Sequence, residues 1–319
     1  MLPNLVPRSL RYIEAVAEHG SIQAAARETD ISASAIDRQI KIIEDRMGVL
    51  LFDRQTRGME LSPAGEIFVA LAQKWRADER RIQSEVKRMQ GVDFGHIRLA
   101  TMDSLVNGLV PRFLGTVSRK YPRVRIDVEV TTPDDAPKLL EDGGCDIALC
   151  FNLLQDRKLH RVWSEELPLF CVVAPSHPLS RSSAVAFSDL INQAIVLQSR
   201  ALSIRRLLEK RHAWLFEQGP PPVVTNSLQL LKQLVATGSH LALTSEMDAA
   251  PELLSGGLVA IPISGSKIPN QTISVAVSAR RALPRITGLI GDCLAHEANH
   301  LLSEVRTIAR SPKTVTDAM

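Results

Sequence analysis

The chain has 319 residues, 45% hydrophobic, 23% charged and 4% aromatic, with a net charge of +3. That is too long for one ordinary domain, and the composition is that of a soluble globular protein with an aliphatic core. No apolar run approaches the roughly 20 residues of a membrane helix and no secretory leader is visible, so a cytoplasmic protein with no membrane partner is expected. Bulk charge does not announce a nucleic-acid partner, because residues 1–91 carry 14 Lys and Arg against 13 Asp and Glu.

From the N-terminus, Leu10, Ile13, Val16 and Ala17 share one helical face. Gly20 ends that helix and Ser21 is placed to cap the next, a short alanine-rich segment closed by a turn at Asp30 and Ile31. Ser32 opens a third helix that runs to about Met47, where Gly48 stops it. Leu50 to Phe52 and Met59 to Leu61 then flank a polar tip, the pattern of a small hairpin. From Pro63 to Met89 the apolar residues Phe68, Trp75, Ile82 and Met89 recur every seven positions, widened by Leu71, Ala72 and Val86. A charged helix about 40 Å long with one apolar seam wants a partner helix, or else a neighbouring domain of its own chain. Asp78 and Glu85 fall on the seam, so the pairing is imperfect.

Beyond Gly91–Gly95 the pattern changes to strand–helix alternation. Strand-like runs fall at 97–101, 125–130, 145–151, 169–174, 194–198, 223–226, 240–244, 258–263 and 273–278. Repeated βαβ units imply parallel sheets covered by helices, with ligands bound beyond the carboxyl ends of the strands. The polar segment 304–319 reads as a flexible tail.

The run from Leu10 to Gly65 resembles the DNA-binding domain of LysR-type transcriptional regulators over its whole length. The resemblance is carried by Ala24-Ala25-Ala26, by the Ser-x-x-Ala-Ile-x-Arg-Gln-Ile run from Ser32 to Ile40, and by Ile43-Glu44. The Gly48–Phe52 segment, Arg54 and Leu61-Ser62-Pro63-Ala64-Gly65 complete it. It implies a winged helix-turn-helix at 1–62 and a linker, or dimerisation, helix at 63–92. A two-lobed α/β effector-binding domain follows at 93–303, similar to periplasmic binding proteins. Lobe I would comprise 96–165 and 268–303, and lobe II 166–267. It further implies a homodimer or homotetramer that binds double-stranded DNA and a small-molecule effector. In such a motif the third helix enters the major groove with its N-terminal residues on the bases. Ser32, Ala33, Ser34, Asp37, Arg38 and Lys41 are its candidates. Arg54 and Arg57 of the hairpin are placed for the minor groove or backbone. Relatives often carry Gln-Pro where this chain has Ala33-Ser34, and Ser where it has Asp37. That Asp either accepts from a cytosine amino group or pairs with Lys41 one turn on.

Candidate effector contacts lie at strand ends and helix starts: Asp103, Ser104, Thr131, Thr132, Phe151 and Asn152 in lobe I, and Ser199, Arg200, Ser203, Asn226, Ser227, Thr244 and Ser245 in lobe II. Helix starts attract carboxylates, so an organic acid or amino acid is the default ligand. Asp103 qualifies this. If it faces the cleft it favours a zwitterion over a diacid; otherwise it caps its own helix and points away. Cys145, Cys150, Cys171 and Cys293 form no Cys-x-x-Cys pair and have no His cluster beside them, so neither metal nor cofactor is expected. A buried reduced thiol is the plain reading, and the flanks offer no base to make a redox-active thiolate. The competing class, an enzyme on this scaffold, finds no nucleophile elbow, phosphate loop or metal-ligand cluster.

Overall fold

The computed structural model describes residues 6–55, 58–89, 95–191, 193–200, 202–212, 223–265 and 270–310. Three short helices open the chain: α1 (Arg8–His19), α2 (Ile22–Thr29) and α3 (Ala33–Met47). Ser21 and Ser32 accept from the N–H groups of Ala24 (3.2 Å) and Ala35 (3.3 Å), so both interior starts are capped by their own side chains. The apolar faces meet in a small core that includes Leu10, Ile13, Val16, Ala25, Ile36 and Ile40.

The hairpin pairs β1 (Phe52–Gln55) with β2 (Gly58–Leu61), Phe52 opposite Leu61 and Arg54 opposite Met59. It is tied to the helices at two points. The buried Glu44 accepts from Leu51 N–H at 2.8 Å, and Met59 N–H donates to Gly20 C=O at 2.8 Å. The Leu-Ser-Pro-Ala-Gly run then turns the chain into α4 (Pro63–Met89). Ser62 accepts from Gly65 N–H and donates to Leu50 C=O (3.1 and 2.6 Å). Pro63 sits at the first helical position, where its missing N–H costs nothing. A Cβ on Gly65 would lie 2.0 Å from Leu51 O, so only glycine lets helix and hairpin approach this closely.

On α4, Ala72 and Ala77 are buried and Phe68 packs on the N-terminal core. Further along, Arg80 faces Asp146 of the next domain at 4.0 Å. Asp146 is shared with Arg98 and Arg281, at 3.9 and 3.5 Å. Burial and the nearby Arg98 charge lower the Arg80 pKa to about 10.

The first α/β sheet has the order β4-β3-β5-β13-β6, with β3 (Gly95–Thr101), β4 (Val124–Val130), β5 (Ile147–Phe151), β6 (Leu159–Leu167) and β13 (Gln271–Ser278). Around it lie α5 (Leu109–Lys120), α6 (Ala136–Asp142) and α10 (Arg285–Arg310). The second sheet has the order β11-β7-β12-β8, with β7 (Leu169–Val173), β8 (Val185–Ala186), β11 (Ala242–Ser245) and β12 (Val259–Ser264). A single bridge, Ile195 to Leu241, joins it to the parallel pair β9 (Val196–Gln198) and β10 (Val223–Thr225). The helices here are α7 (Ser203–His212), α8 (Leu228–Ala236) and α9 (Ala250–Leu254).

Three features differ from expectation. The sheets are mixed: β3, β4 and β5 run parallel, but β13 is antiparallel to β5 and β6, and β7 is antiparallel to β11 and β12. Of the two strands that pass between the lobes, β13 runs against β3, β4 and β5, and β6 runs with them. β6 was not anticipated, because its Leu-His-Arg-Val-Trp-Ser-Glu-Glu-Leu sequence is largely polar along a sheet edge. Of the segment expected as a tail from residue 304, the part to Arg310 belongs to α10, and the rest lies outside the described residues. Val305 is buried, and Arg306 binds Glu246 (2.7 Å) and Glu165 (2.9 Å).

Candidate functional site

The exposed side of α3 carries Ser32, Ser34, Arg38 and Lys41, with Ala33 and Asp37 half-buried beside them. This follows from the helical period, since Ile36 and Ile40 take the opposite face into the core. Ser32 and Ser34 share a hydroxyl contact of 3.3 Å. Asp37 lies 2.7 Å from the Lys41 ammonium, the intrahelical pair that is one of its two anticipated roles. The backbone of Arg54 lies in β1. Its side chain, and the whole of Arg57, fall outside the described residues.

The seven-residue seam of α4 is not one surface. Phe68 turns into the N-terminal core, whereas Trp75 and Ile82 are 42% and 44% exposed. The outward apolar row is Ile67, Leu71, Trp75, Ile82 and Val86. Phe68 shares the angular position of the row, but the N-terminal helices pack against this end of α4 and cover it. The Met89 side chain lies outside the described residues.

Between the α/β lobes lies a cavity of about 410 Å³, at the carboxyl ends of β3, β4 and β5. That is a size that encloses a small metabolite. Lobe I contributes Asp103, Ser104, Thr131, Thr132 and Phe151, and lobe II contributes Ser203, Asn226 and Ser227. Five expected residues are not in its wall, Ser245 among them, whose hydroxyl is turned to Asp248. Arg200 is exposed and pairs with Glu209 at 3.0 Å. Ser199 stands behind the α7 start, its N–H on Thr225 C=O. Thr244 is buried and donates to Asp248 at 2.9 Å. Asn152 acts behind the wall: its φ of 52° is the left-handed region that Asn tolerates. There its side chain accepts from Thr272 N–H (2.9 Å) and donates to Ser203 Oγ (2.8 Å).

Sequence reasoning missed Leu202, Ile204, Asp248 and Gln271, which all line the cavity. Asp248 had a legible signal, the Ser245-x-x-Asp248 spacing of a local cap. The Ser245 hydroxyl donates to its carboxylate at 2.7 Å. Gln271 had none, since its role depends on the fold bringing β13 beside Asn152 and Asp248.

Asp103 faces the cleft rather than capping its own helix, and it also makes a contact that was not anticipated. Its Oδ2 crosses the cleft and accepts from Leu228 N–H (2.6 Å), Gln229 N–H (3.3 Å) and the Ser227 hydroxyl (3.2 Å). A lobe I carboxylate thus caps α8 of lobe II. Other contacts join the lobes nearby. Arg206 of α7 holds Asp134 with two hydrogen bonds of 2.7 and 3.0 Å. The buried Lys232 of α8 donates to Asn107 Oδ1 (3.1 Å) and pairs with Glu252 (2.9 Å).

Cys145, Cys150 and Cys171 are buried. Burial pushes the Cys150 and Cys171 thiols up to about 12, and Cys145 also upward. Their protonated, enclosed state is that of packing residues. Among the described residues, no helix is long and apolar enough to cross a membrane.

Two family models match the chain: the bacterial regulatory helix-turn-helix protein, lysR family, over residues 7–66, and the LysR substrate binding domain over residues 90–298. The RuBisCO operon transcriptional regulator of Allochromatium vinosum is 24% identical over 282 residues, covering 87% of this chain and 91% of that protein. The regulator BbuR of Bordetella bronchiseptica is 26% identical over 300 residues, covering 92% and 88%. Among solved structures, a full-length OxyR variant from Pseudomonas aeruginosa has a TM-score of 0.64 at 20% identity, covering 93% of this chain and 96% of that one. Full-length CbnR in complex with its target DNA has a TM-score of 0.63 at 20% identity, covering 91% and 99%. These likenesses show the same fold from end to end. With a reading head built on α3, a cavity between two α/β lobes and two family matches that span most of its length, the chain belongs to the LysR family of helix-turn-helix transcriptional regulators.

Proposed function

We propose that α3 and the hairpin make the DNA contacts, that α4 pairs two subunits, and that a small polar metabolite between the lobes sets operator affinity by binding alone, without turnover. The residues assigned to these roles follow from position. Ser32, Ala33, Ser34 and Arg38 meet base edges, Lys41 lies toward the backbone with its charge offset by Asp37, and Arg54 and Arg57 meet the groove flank. Phe68, Trp75, Ile82 and Met89 mark the pairing helix, with Trp75 and Ile82 on its outward row. The domain limits are those given above, with the tail shortened to follow α10. A cytoplasmic location follows from the DNA partner.

The observation that carries the reading is the shared wall between cavity and linker helix. Thr131 and Asp135 line the inter-lobe cavity. They also line a second cavity of about 440 Å³ against Leu61, Glu66, Val69 and Ala70 at the start of α4. A molecule that shifts this one loop changes the support of the helix that carries the DNA-binding domain. Proteins couple distant sites through packed elements of this kind.

Selection of bound duplexes from a random pool tests the DNA half. A specific site whose affinity falls steeply with salt is expected. Arg38→Ala should cost about 1–3 kcal/mol at one base position, or weaken all duplexes alike if Arg38 holds phosphate. An Arg38→Ala protein with unchanged affinity, preference and salt slope would remove α3 from the interface.

A further inference from the structure

Helix starts in a cleft are the usual seats for a ligand carboxylate, because their first N–H groups have no partner within the helix. At α8 that seat is already taken. Asp103 reaches across from lobe I and accepts from the Leu228 and Gln229 N–H groups and the Ser227 hydroxyl. The rest of the wall has the same sign. Asp135 and Asp248 join Asp103, and among the described residues no Lys, Arg or His lines the cavity.

Each of these carboxylates spends one oxygen on the protein. Asp135 Oδ2 accepts from the Thr132 hydroxyl at 2.6 Å. Asp248 Oδ2 accepts from Thr244, Ser245 and Gln271, at 2.9, 2.7 and 3.3 Å. The hydrogen bonds of all three side chains to described residues fall on Oδ2, which leaves Oδ1 for a ligand. The rest of the wall includes Met102, Val130, Phe151, Leu202 and Ile204, a lining for a short carbon chain. Among the described residues no cluster is arranged to hold a metal ion, so the matching cation is organic. One ligand carboxylate still has a place at the first turn of α7, where Ser203 and Ile204 line the cavity. A second has none.

We propose that Asp103 is the specificity-determining residue of the cleft. It stands where a ligand carboxylate would stand at α8, and the cleft takes a small molecule with a protonated amine, either an amine or an amino acid, rather than a diacid. This rests on reading the cavity as the effector site. The zwitterion anticipated from sequence is one member of this class. What the structure adds is the reason: the anion seat is filled from the opposite lobe.

The test is calorimetric titration of the intact protein, at constant ionic strength, with three five-carbon probes: cadaverine, 5-aminovalerate and glutarate. In the wild type at least one amine probe should bind about tenfold or more tighter than glutarate. Asp103→Asn keeps a competent cap but removes the charge, and should narrow that preference by about tenfold. Asp103→Ala empties the α8 seat and should raise glutarate affinity by about tenfold. Glutarate binding to the wild type as tightly as the better of the two amine probes overturns the proposal. So does the lack of any preference among the probes, with or without binding. A cleft that prefers glutarate would remain a sensor site. Only an operator complex indifferent to all small molecules would remove the sensor reading itself.

Discussion

Asp37 stands in the middle of the exposed face of α3, and its 2.7 Å pair with Lys41 decides what both can do. A carboxylate held by a lysine one turn away offers little to a cytosine and masks a charge that would meet phosphate. Asp37→Ser should therefore free Lys41, strengthen binding to every duplex and steepen the salt slope by about 1, with base preference unchanged. Comparing the sites each protein selects from a random pool checks this. A changed preference at one base position would restore the base-reading role. Lys232 makes a second prediction at this scale. It is 1% exposed and pairs with Glu252, whose other oxygen is already buried without a partner. Lys232→Ala leaves that carboxylate without its cation and should cost about 3 kcal/mol in urea unfolding. Adding Glu252→Gln should return part of the loss. The thiols give a third. Cys145, Cys150 and Cys171 are enclosed, with acid strength reduced by burial. A thiol reagent applied to the native protein should modify Cys293, the one cysteine with partial exposure, before the others. Rapid modification of Cys150 would contradict the packing role.

At the scale of elements, α4 presents Ile67, Leu71, Trp75, Ile82 and Val86 on one side and packs Ala72 and Ala77 on the other. Its own chain does not cover the outward row. Replacing Trp75 and Ile82 together by Asp should convert dimers to monomers in sedimentation, with helical content retained. A dimer that survives would move the interface elsewhere. The same helix shows what could be read in advance. Its length and its apolar bias were legible, because they depend on local spacing. Which part of that stripe is covered was not, because Phe68 and Trp75 lie on nearly the same face and differ in whether the N-terminal helices pack over them. The first three helices were legible for the same local reasons, each having a cap and a single apolar face. β6 was not, because an edge strand need not alternate cleanly. The end of α10 was not, because the ion pairs of Arg306 reach Glu165 and Glu246 far away in sequence.

The whole molecule places α3, α4 and the inter-lobe cavity on one continuous path. The cavity wall was half legible. Asp103, Ser104, Thr131, Thr132, Phe151, Ser203 and Asn226 follow from the rule that open α/β sheets bind ligands beyond strand ends. Gln271 and the Asp103–α8 cap depend on how the lobes close on each other, which no local pattern encodes. That closure is held by polar contacts: Asp103 on α8, Arg206 on Asp134, and Asn107 on Lys232. A carboxylate about 4 Å from Asp103 would meet a repulsion of roughly 4 kcal/mol at an effective dielectric of 20, and an ammonium an attraction of the same size. Either is large beside the roughly 1–3 kcal/mol by which effectors commonly shift a second site. The most direct measurement of this coupling is fluorescence anisotropy of the selected operator duplex, titrated with intact protein with and without the low-molecular-weight fraction of a bacterial extract. Wild type should be compared with Ser203→Trp, which fills the cavity. The account predicts that the extract moves wild-type half-saturation by about tenfold and leaves Ser203→Trp unmoved. Equal shifts in both proteins, or no shift in the wild type, would contradict it.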